Sequence, residues 1–389
     1  MIKKLLYSIF VIALTLYSYA QPYFDSGNRY VSGKFVLAQA EKHIIKLNHT
    51  PVRIKAVLNG SVPVIFTMDS DGFVYKTVIS NGKAETAITS LKASPHAEIY
   101  TNILPDDASR FSAPVMSRYG LLYITSRGEL SDSTKRYPLD ATKDNQIAVY
   151  DKYAVVLTNP TSSYAHGVLG DRVESEGFAV IDLIDKKIVT KTSISDLGVI
   201  EQKGALLADI DRDGSIEIIL TISNKNNGAQ VYAYSVDGEL KYKSEPIGRG
   251  FRWRHVFAAA QFSGGFVRIV NVITPHIGGT LEFLEAVDGK LIRKSSINGV
   301  STHNIGSANL GMGLAVDVDG DGLPEILAPD NDKKNISAYC GQSELIELSE
   351  LIGFSGILTT EITALSAGDK IKLIGFGTDN KEVYIYLND

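Results

Sequence analysis

Cysteine is almost absent: Cys340 is the only one in 389 residues, and a single thiol cannot close an internal disulfide. In an oxidising compartment, stability would rest on core burial and bound ions instead. Tryptophan is equally scarce, with Trp253 alone. The chain has no Gly-x-Ser-x-Gly elbow, no His-Glu-x-x-His pair, no phosphate-binding glycine loop and no cysteine pair, so the commonest sequence signatures of esterases, zinc proteases and nucleotide enzymes are missing. Basic charge is also in deficit. The formal net charge is −5 with no run of like sign, which leaves no footprint for nucleic acid or anionic lipid. Patterns for long helices are lacking too.

One long apolar run exists, at the N-terminus. Lys3 and Lys4 precede Leu5 to Leu16, followed by Ser18-Tyr19-Ala20, the charge, apolar stretch and small residues of a secretory signal peptide cleaved after Ala20. The run is shorter than the roughly 20 residues that span a bilayer. A lipoprotein would need a cysteine just past the cleavage point, so no direct lipid anchor is expected. The destination is the exterior or the periplasm, and cleavage removes two positive charges.

The rest of the chain repeats. Short runs rich in Val, Ile, Tyr and Phe alternate with period two between clusters of Gly, Asn, Asp and Ser, the pattern of strands joined by tight turns. An apolar strand leading into Asn81-Gly82, Asp185-Lys186, Asp237-Gly238 or Asp288-Gly289 recurs, and such pairs supply the positive φ that two-residue hairpins need. Asp185, Asp237 and Asp288 lie about one four-stranded unit apart. The expectation is an all-β fold, a β-propeller of seven four-stranded blades forming one domain over 21–389. Its units are 44–92, 95–140, 145–197, 200–248, 251–298, 301–350 and 353–388, with residues 22–43 available to close the last blade.

Two loops carry distinctive chemistry. Asp209-Ile210-Asp211-Arg212-Asp213-Gly214-Ser215-Ile216-Glu217 and Asp317-Val318-Asp319-Gly320-Asp321-Gly322-Leu323-Pro324-Glu325 share the pattern D-x-D-x-D-G-x-x-E. Alternate carboxylates can converge on one cation, the sixth-position glycine permits the turn, the backbone carbonyl of Ser215 or Leu323 joins, and Glu217 or Glu325 completes an oxygen shell. Hard oxygen donors favour Ca²⁺ over transition metals. Apolar strands flank both loops, so these are not EF-hands. Two structural Ca²⁺ sites are expected. Asp69-Ser70-Asp71-Gly72 has Tyr75 where the glutamate would stand and reads as a plain hairpin turn.

These loops resemble those of the FG-GAP and VCBS-like repeats of integrin-type propellers and of many secreted bacterial proteins. The resemblance is specific over 200–349 and architectural elsewhere. It implies seven blades with Ca²⁺ in the loop between a blade's innermost and second strands; it implies no reaction.

If the acidic loops lie on one face, the links between blades and the second-to-third-strand loops lie on the other. That opposite face collects Arg249, Arg252, Trp253, Arg254, His255, Thr302, His303 and Asn304 from links. Tyr164, His166, Asp171, Arg172, Glu174, Pro275, His276 and Asp330 to Asp332 come from loops. Arginine forks and an aromatic ring suit carboxylated or sugar ligands, and histidine can act as acid, base or ligand near neutral pH. The candidate ligand set is His166, Arg252, Trp253, Arg254, His255, His276, His303 and Asn304. Its leading use is non-catalytic recognition of a glycan or of an envelope or extracellular protein. The rival is an acidic-sugar lyase, which requires these side chains to converge on one accessible point. An assembly scaffold would instead show an exposed apolar patch.

Overall fold

The computed structural model describes residues 27–94, 99, 104–164, 166–170, 172–263, 265–340 and 346–388, without the side chains of 346–351. Residues 1–20, read from the sequence as a leader, and Asp171 lie outside the described residues. No helix among them is long and apolar enough to cross a membrane. Apart from one 3₁₀ turn, Leu37–Gln39, every element is a strand.

Apart from the short strand Val199–Ile200, which bridges blades 3 and 4, the antiparallel pairings among strands fall into seven groups of four. Blade 1 comprises Pro51–Asn59, Val62–Asp69, Phe73–Ser80 and Lys83–Lys92. Blade 2 comprises Val115–Ser117, Gly120–Ile124, Glu129–Ser131 and Arg136–Pro138. Ala148–Tyr150, Tyr153–Thr161, Glu174–Asp182 and Lys187–Ser193 make blade 3. Leu206–Ala208, Glu217–Asn224, Gly228–Tyr234 and Leu240–Ser244 make blade 4. Blade 5 is Arg254–Ser263, Phe266–Ile273, Thr280–Val287 and Lys290–Asn298. Blade 6 is Leu314–Asp317, Glu325–Pro329, Asn335–Cys340 and Ile346–Gly353. Blade 7 takes Thr363–Ala367, Lys370–Gly377 and Glu382–Leu387 from the end of the chain and Glu41–Lys46 from its beginning.

The core lies between blades. Leu122 and Ile124 of blade 2 pack with Ala154 and Val156 of blade 3, Val155 and Phe178 of blade 3 with Leu207 and Ile218 of blade 4, and Ile219 and Val231 of blade 4 with Ala259 and Leu284 of blade 5. Blades 5 and 6 meet through Phe283 and Ile326, blades 6 and 7 through Leu327 and Ile374, and blades 7 and 1 through Leu373 and Ile54. Sheets stacked face to face in succession, from blade 2 through blade 7 to blade 1, are the propeller that the strand spacing predicts. A sheet whose two faces are both covered needs apolar residues in its middle strands on both sides of the pleat, which Val155–Leu157 and Ile218–Leu220 provide.

The N-terminal segment differs from expectation. Residues 44–46, read from spacing as the start of the first unit, belong with 41–43 to the outermost strand of blade 7, paired with Glu382–Leu387. Before reaching it the chain lines the inner edges of the blades. Tyr30–Lys34 pairs in parallel with the innermost strand of blade 6. Arg29 donates its N–H to the Phe257 carbonyl at 2.8 Å, and the Asn28 amide brackets Ala259 with bonds of 2.7 and 2.9 Å. The segment then crosses the second acidic loop, where Phe35 N–H donates to Asp317 O and Leu37 N–H to Val318 O, each at 3.0 Å.

Candidate functional site

Both acidic loops join the innermost to the second strand of their blades, 4 and 6. Their backbones are near copies. In the first, the Asp209 carboxylate accepts from the Asp213 and Gly214 N–H groups and Glu217 from the Ile210 N–H. In the second, Asp317 accepts from Gly320 and Gly322, and Glu325 from Val318. Positive φ at Gly214 (88°) and Gly322 (94°) is the left-handed turn that glycine makes without strain. Ser215 and Leu323 donate their N–H groups to Asp213 and Asp321. Oxygens of Asp209, Asp211 and Asp213 lie within 4.8 Å of one another, as do those of Asp317, Asp319 and Glu325, so both donor sets fit one hard cation.

Their electrostatics are opposite. In the first loop the Lys241 ammonium, from the outermost strand of blade 4, lies 2.7 Å from Asp211, 2.9 Å from Asp213 and 2.8 Å from Glu217, and Tyr242 Oη donates to Asp211 at 2.8 Å. Burial opposes the lysine's charge, but the three carboxylates outweigh it and its pKa is raised. In the second loop no carboxylate makes an ion pair among the described residues. Burial, then repulsion from Asp319, Asp321 and Asp317, pushes Glu325 up to about 7.

The Asp69 turn is a hairpin, as read. Asp69 is buried and accepts from the Asp71 and Phe73 N–H groups and from Tyr75 Oη, at 2.9–3.0 Å. Tyr75 thus fills the place that Glu217 and Glu325 take in the two acidic loops with a hydrogen-bond donor.

On the opposite face, sequence distance collapses around Trp253. Its ring stacks on His255 (5.3 Å, 17°) and on His276 (6.3 Å, 20°), and His303 meets its edge at 4.8 Å. The indole N–H donates to Glu201 O at 2.9 Å. Val168, Leu169 and Leu310 cover it, because the 162–173 loop of blade 3 reaches over to the link between blades 5 and 6. Gly170 (φ 91°) abuts that link so closely that a Cβ would sit 2.7 Å from the Gly306 carbonyl.

Trp253, His255, His276 and His303 come together, but the cluster is not a ligand surface throughout. Trp253, His255 and His303 are buried, and the imidazoles are already bonded, His255 Nδ1 to Thr302 Oγ1 at 2.8 Å and His303 Nε2 to Ser307 O at 2.9 Å. Arg254 turns away into a buried ion pair with Glu282 at 2.5 Å. Alternation explains the correction: Arg254 and His255 begin the innermost strand of blade 5, and neighbours on a strand point to opposite faces, here both covered. Arg252 and Asn304 are exposed, while His166 and His276 are half-buried. His166 Nδ1 lies 2.6 Å from the fully buried Glu201, and its ring stacks on the exposed Phe251 at 5.3 Å.

Glu201 and Phe251 carry no motif that would single them out. Nor does Lys333, whose buried ammonium has its pKa lowered by desolvation beside the same cluster. Lys241 could have been found only by aligning the outermost strands of the two motif-bearing blades.

Burial pushes His303 down to about 4 and His255 well below the usual imidazole range. The folded state keeps both neutral while the unfolded chain takes up protons near pH 6.5. Stability is therefore expected to fall as pH drops from about 6.5 towards 4, by up to about 1.4 kcal/mol per pH unit for each histidine. The raised Glu325 acts in the opposite sense, so the histidine part is read as a difference. His303→Asn should flatten the urea-midpoint-versus-pH curve in that window, and an unchanged slope would reject the assignment.

No protein-family model and no curated protein sequence matches the chain. Among solved structures, BBS1N in complex with ARL6DN aligns at TM-score 0.49 and 9% identity over 92% of this chain and 98% of that one. BamB from Moraxella catarrhalis aligns at 0.42 and 10%, over 90% and 100%. The Pan2 WD40 domain of Neurospora crassa aligns at 0.44 and 8%, over 92% and 98%. These likenesses carry no functional assignment over to this chain.

Proposed function

We propose that this propeller is a non-catalytic docking protein of the bacterial envelope or exterior that binds a protein partner on the face opposite its acidic loops. The observation carrying this reading is a set of large apolar side chains standing out on that face: Ile277 (73% exposed), Ile305 (69%) and Phe251 (47%). They come from three neighbouring connections, the blade 5 loop and the links on either side of that blade. Exposed apolar clusters with a polar surround mark protein-binding surfaces.

The lyase reading loses part of its machinery. Of its candidate bases His166, His255, His276 and His303, His255 and His303 are buried and already bonded, and of its candidate arginines Arg252 and Arg254 the second is committed to Glu282. A glycan reading would call for accessible aromatic platforms; the one indole is enclosed, and Phe251 is the exposed ring beside it. Export through the leader ending at Ala20, FG-GAP/VCBS-like kinship and Ca²⁺ at Asp317, Asp319, Asp321 and Glu325 belong to the same proposal. The metal would supply charge neutralisation and no chemistry.

A photo-crosslinking residue at Ile277, compared in the producing cell with one at Phe266 on the acidic-loop face, tests this. A discrete protein adduct from 277 alone, lost on Ile305→Asp, is expected. Equal adducts from both positions, or cleavage of acidic polysaccharides by the purified protein, would overturn it.

A further inference from the structure

We propose that Lys241 is the resident cation of the loop Asp209–Glu217, so that the chain binds a single Ca²⁺, in the loop Asp317–Glu325. The inference rests on the Ca²⁺ reading of the second loop, and it concerns why two loops of the same pattern behave differently.

Ca²⁺ binds oxygens at about 2.3–2.6 Å through six to eight ligands. In the first loop, oxygens of three of the four acidic residues already face one ammonium at 2.7–2.9 Å. A divalent ion and the ammonium cannot share that point, and Tyr242 Oη occupies a further lone pair of Asp211. For the metal to enter, Lys241 would have to leave three charge-assisted hydrogen bonds.

The register explains the asymmetry. In blade 4, Ala233 pairs with Tyr242 and Tyr234 with Leu240, so Lys241 is the extra residue of a bulge. In blade 6, Ala338 pairs with Ser349 and Tyr339 with Glu347, so the extra residue is Leu348. Tyr234 pairs with Ile218 and Tyr339 with Ile326, the residues just after Glu217 and Glu325, which fixes the correspondence. Where blade 4 has a lysine followed by a tyrosine, blade 6 has a leucine followed by a serine. Neither leucine nor serine carries a cation. The lysine that does approach the second loop, Lys34, donates to the Gly320 carbonyl at 3.0 Å and not to a carboxylate.

The second loop also holds the ring's closure, because the carbonyls of Asp317 and Val318 bond Phe35 and Leu37. Metal dependence should therefore be concentrated where the N-terminal segment passes between blades 6 and 7, and blade 4 should be indifferent to it.

Calorimetric titration of the chelator-stripped full chain with Ca²⁺ tests this. The expected stoichiometry is one per chain for the wild type, none for Glu325→Gln and two for Lys241→Gln. The reciprocal variant Leu348→Lys should bind none, which keeps the test decisive if Lys241→Gln folds poorly. Two ions in the wild type, or one ion abolished by Asp209→Asn and retained in Glu325→Gln, would overturn the proposal. Binding by Lys241→Gln alone would support the lysine's role while removing the second loop from the Ca²⁺ reading, and no binding by any form would remove both. As a second readout, chelation should raise amide exchange over 35–46 and 315–328 and leave 207–219 unchanged.

Discussion

Trp253→Ala is expected to lower the free energy of unfolding by about 3–5 kcal/mol, the range for removing a large buried aromatic. The side chain is 1% exposed and lies where three blades meet: His255 and His276 of blade 5 cover its faces, His303 from the link to blade 6 meets its edge, and Val168 and Leu169 arrive from blade 3. Aromatic contacts of this kind add to the burial itself, and the indole's hydrogen bond to Glu201 O is lost as well. Trp253→Phe retains the stacking but not the hydrogen bond, so about half the loss is expected, in line with ~1 kcal/mol for a buried hydrogen bond and the rest for lost volume. Urea unfolding followed by circular dichroism measures both, since the only indole is gone. A cost below ~1 kcal/mol for the alanine variant would mean that the face around Trp253 repacks without effort.

The second large effect concerns the N-terminal segment. Deleting residues 27–46 is expected to abolish the single cooperative unfolding transition. Blade 7 would keep three strands and expose the edge of Glu382–Leu387, the inner strand of blade 6 would lose its parallel partner, and Val31 and Phe35 would leave the core between blades 6 and 7. An open strand edge is also a template for pairing with other copies. Size-exclusion chromatography should show aggregation, and a synthetic peptide of residues 27–46 added during refolding should restore monomer. A truncated chain that remains monomeric with an unchanged midpoint would show that the ring closes without this strand.

Much of the architecture was legible because a propeller repeats its grammar. The turns at Asn81-Gly82 and Asp288-Gly289 have both residues at positive φ, between the pairs Ser80–Lys83 and Val287–Lys290. The D-x-D-x-D-G-x-x-E loops converge because the pattern itself dictates which side chains face inward. Glu41–Lys46 was less legible: a strand's partner is not written in the strand, and closing a ring pairs residues more than 300 apart. At the site, the link and loop positions that gather around Trp253 followed from which connections of a blade share a face. Whether those side chains point outward did not, because polar residue type argues for exposure while a link residue that continues into an innermost strand is carried into the core. Arg254 shows the conflict most clearly, a charged residue whose burial is tolerated only because Glu282 accompanies it. Lys241 stayed hidden for another reason. Its role depends on a bulge, and one extra residue in a strand changes which side chain reaches a neighbouring loop.

The strand that completes blade 7 also sets a timetable. Glu41–Lys46 leaves the ribosome more than 300 residues ahead of Glu382–Leu387, its partner. At ordinary elongation speeds of about 5–20 residues per second, the two are born tens of seconds apart. Six blades can stack in order during that interval, but the first-made strand has nowhere to go. For that time the nascent protein has a free ribbon at one end and a growing row of sheets at the other, a state open to capture by chaperones and proteases. A premature stop anywhere before residue 382 would leave it there permanently.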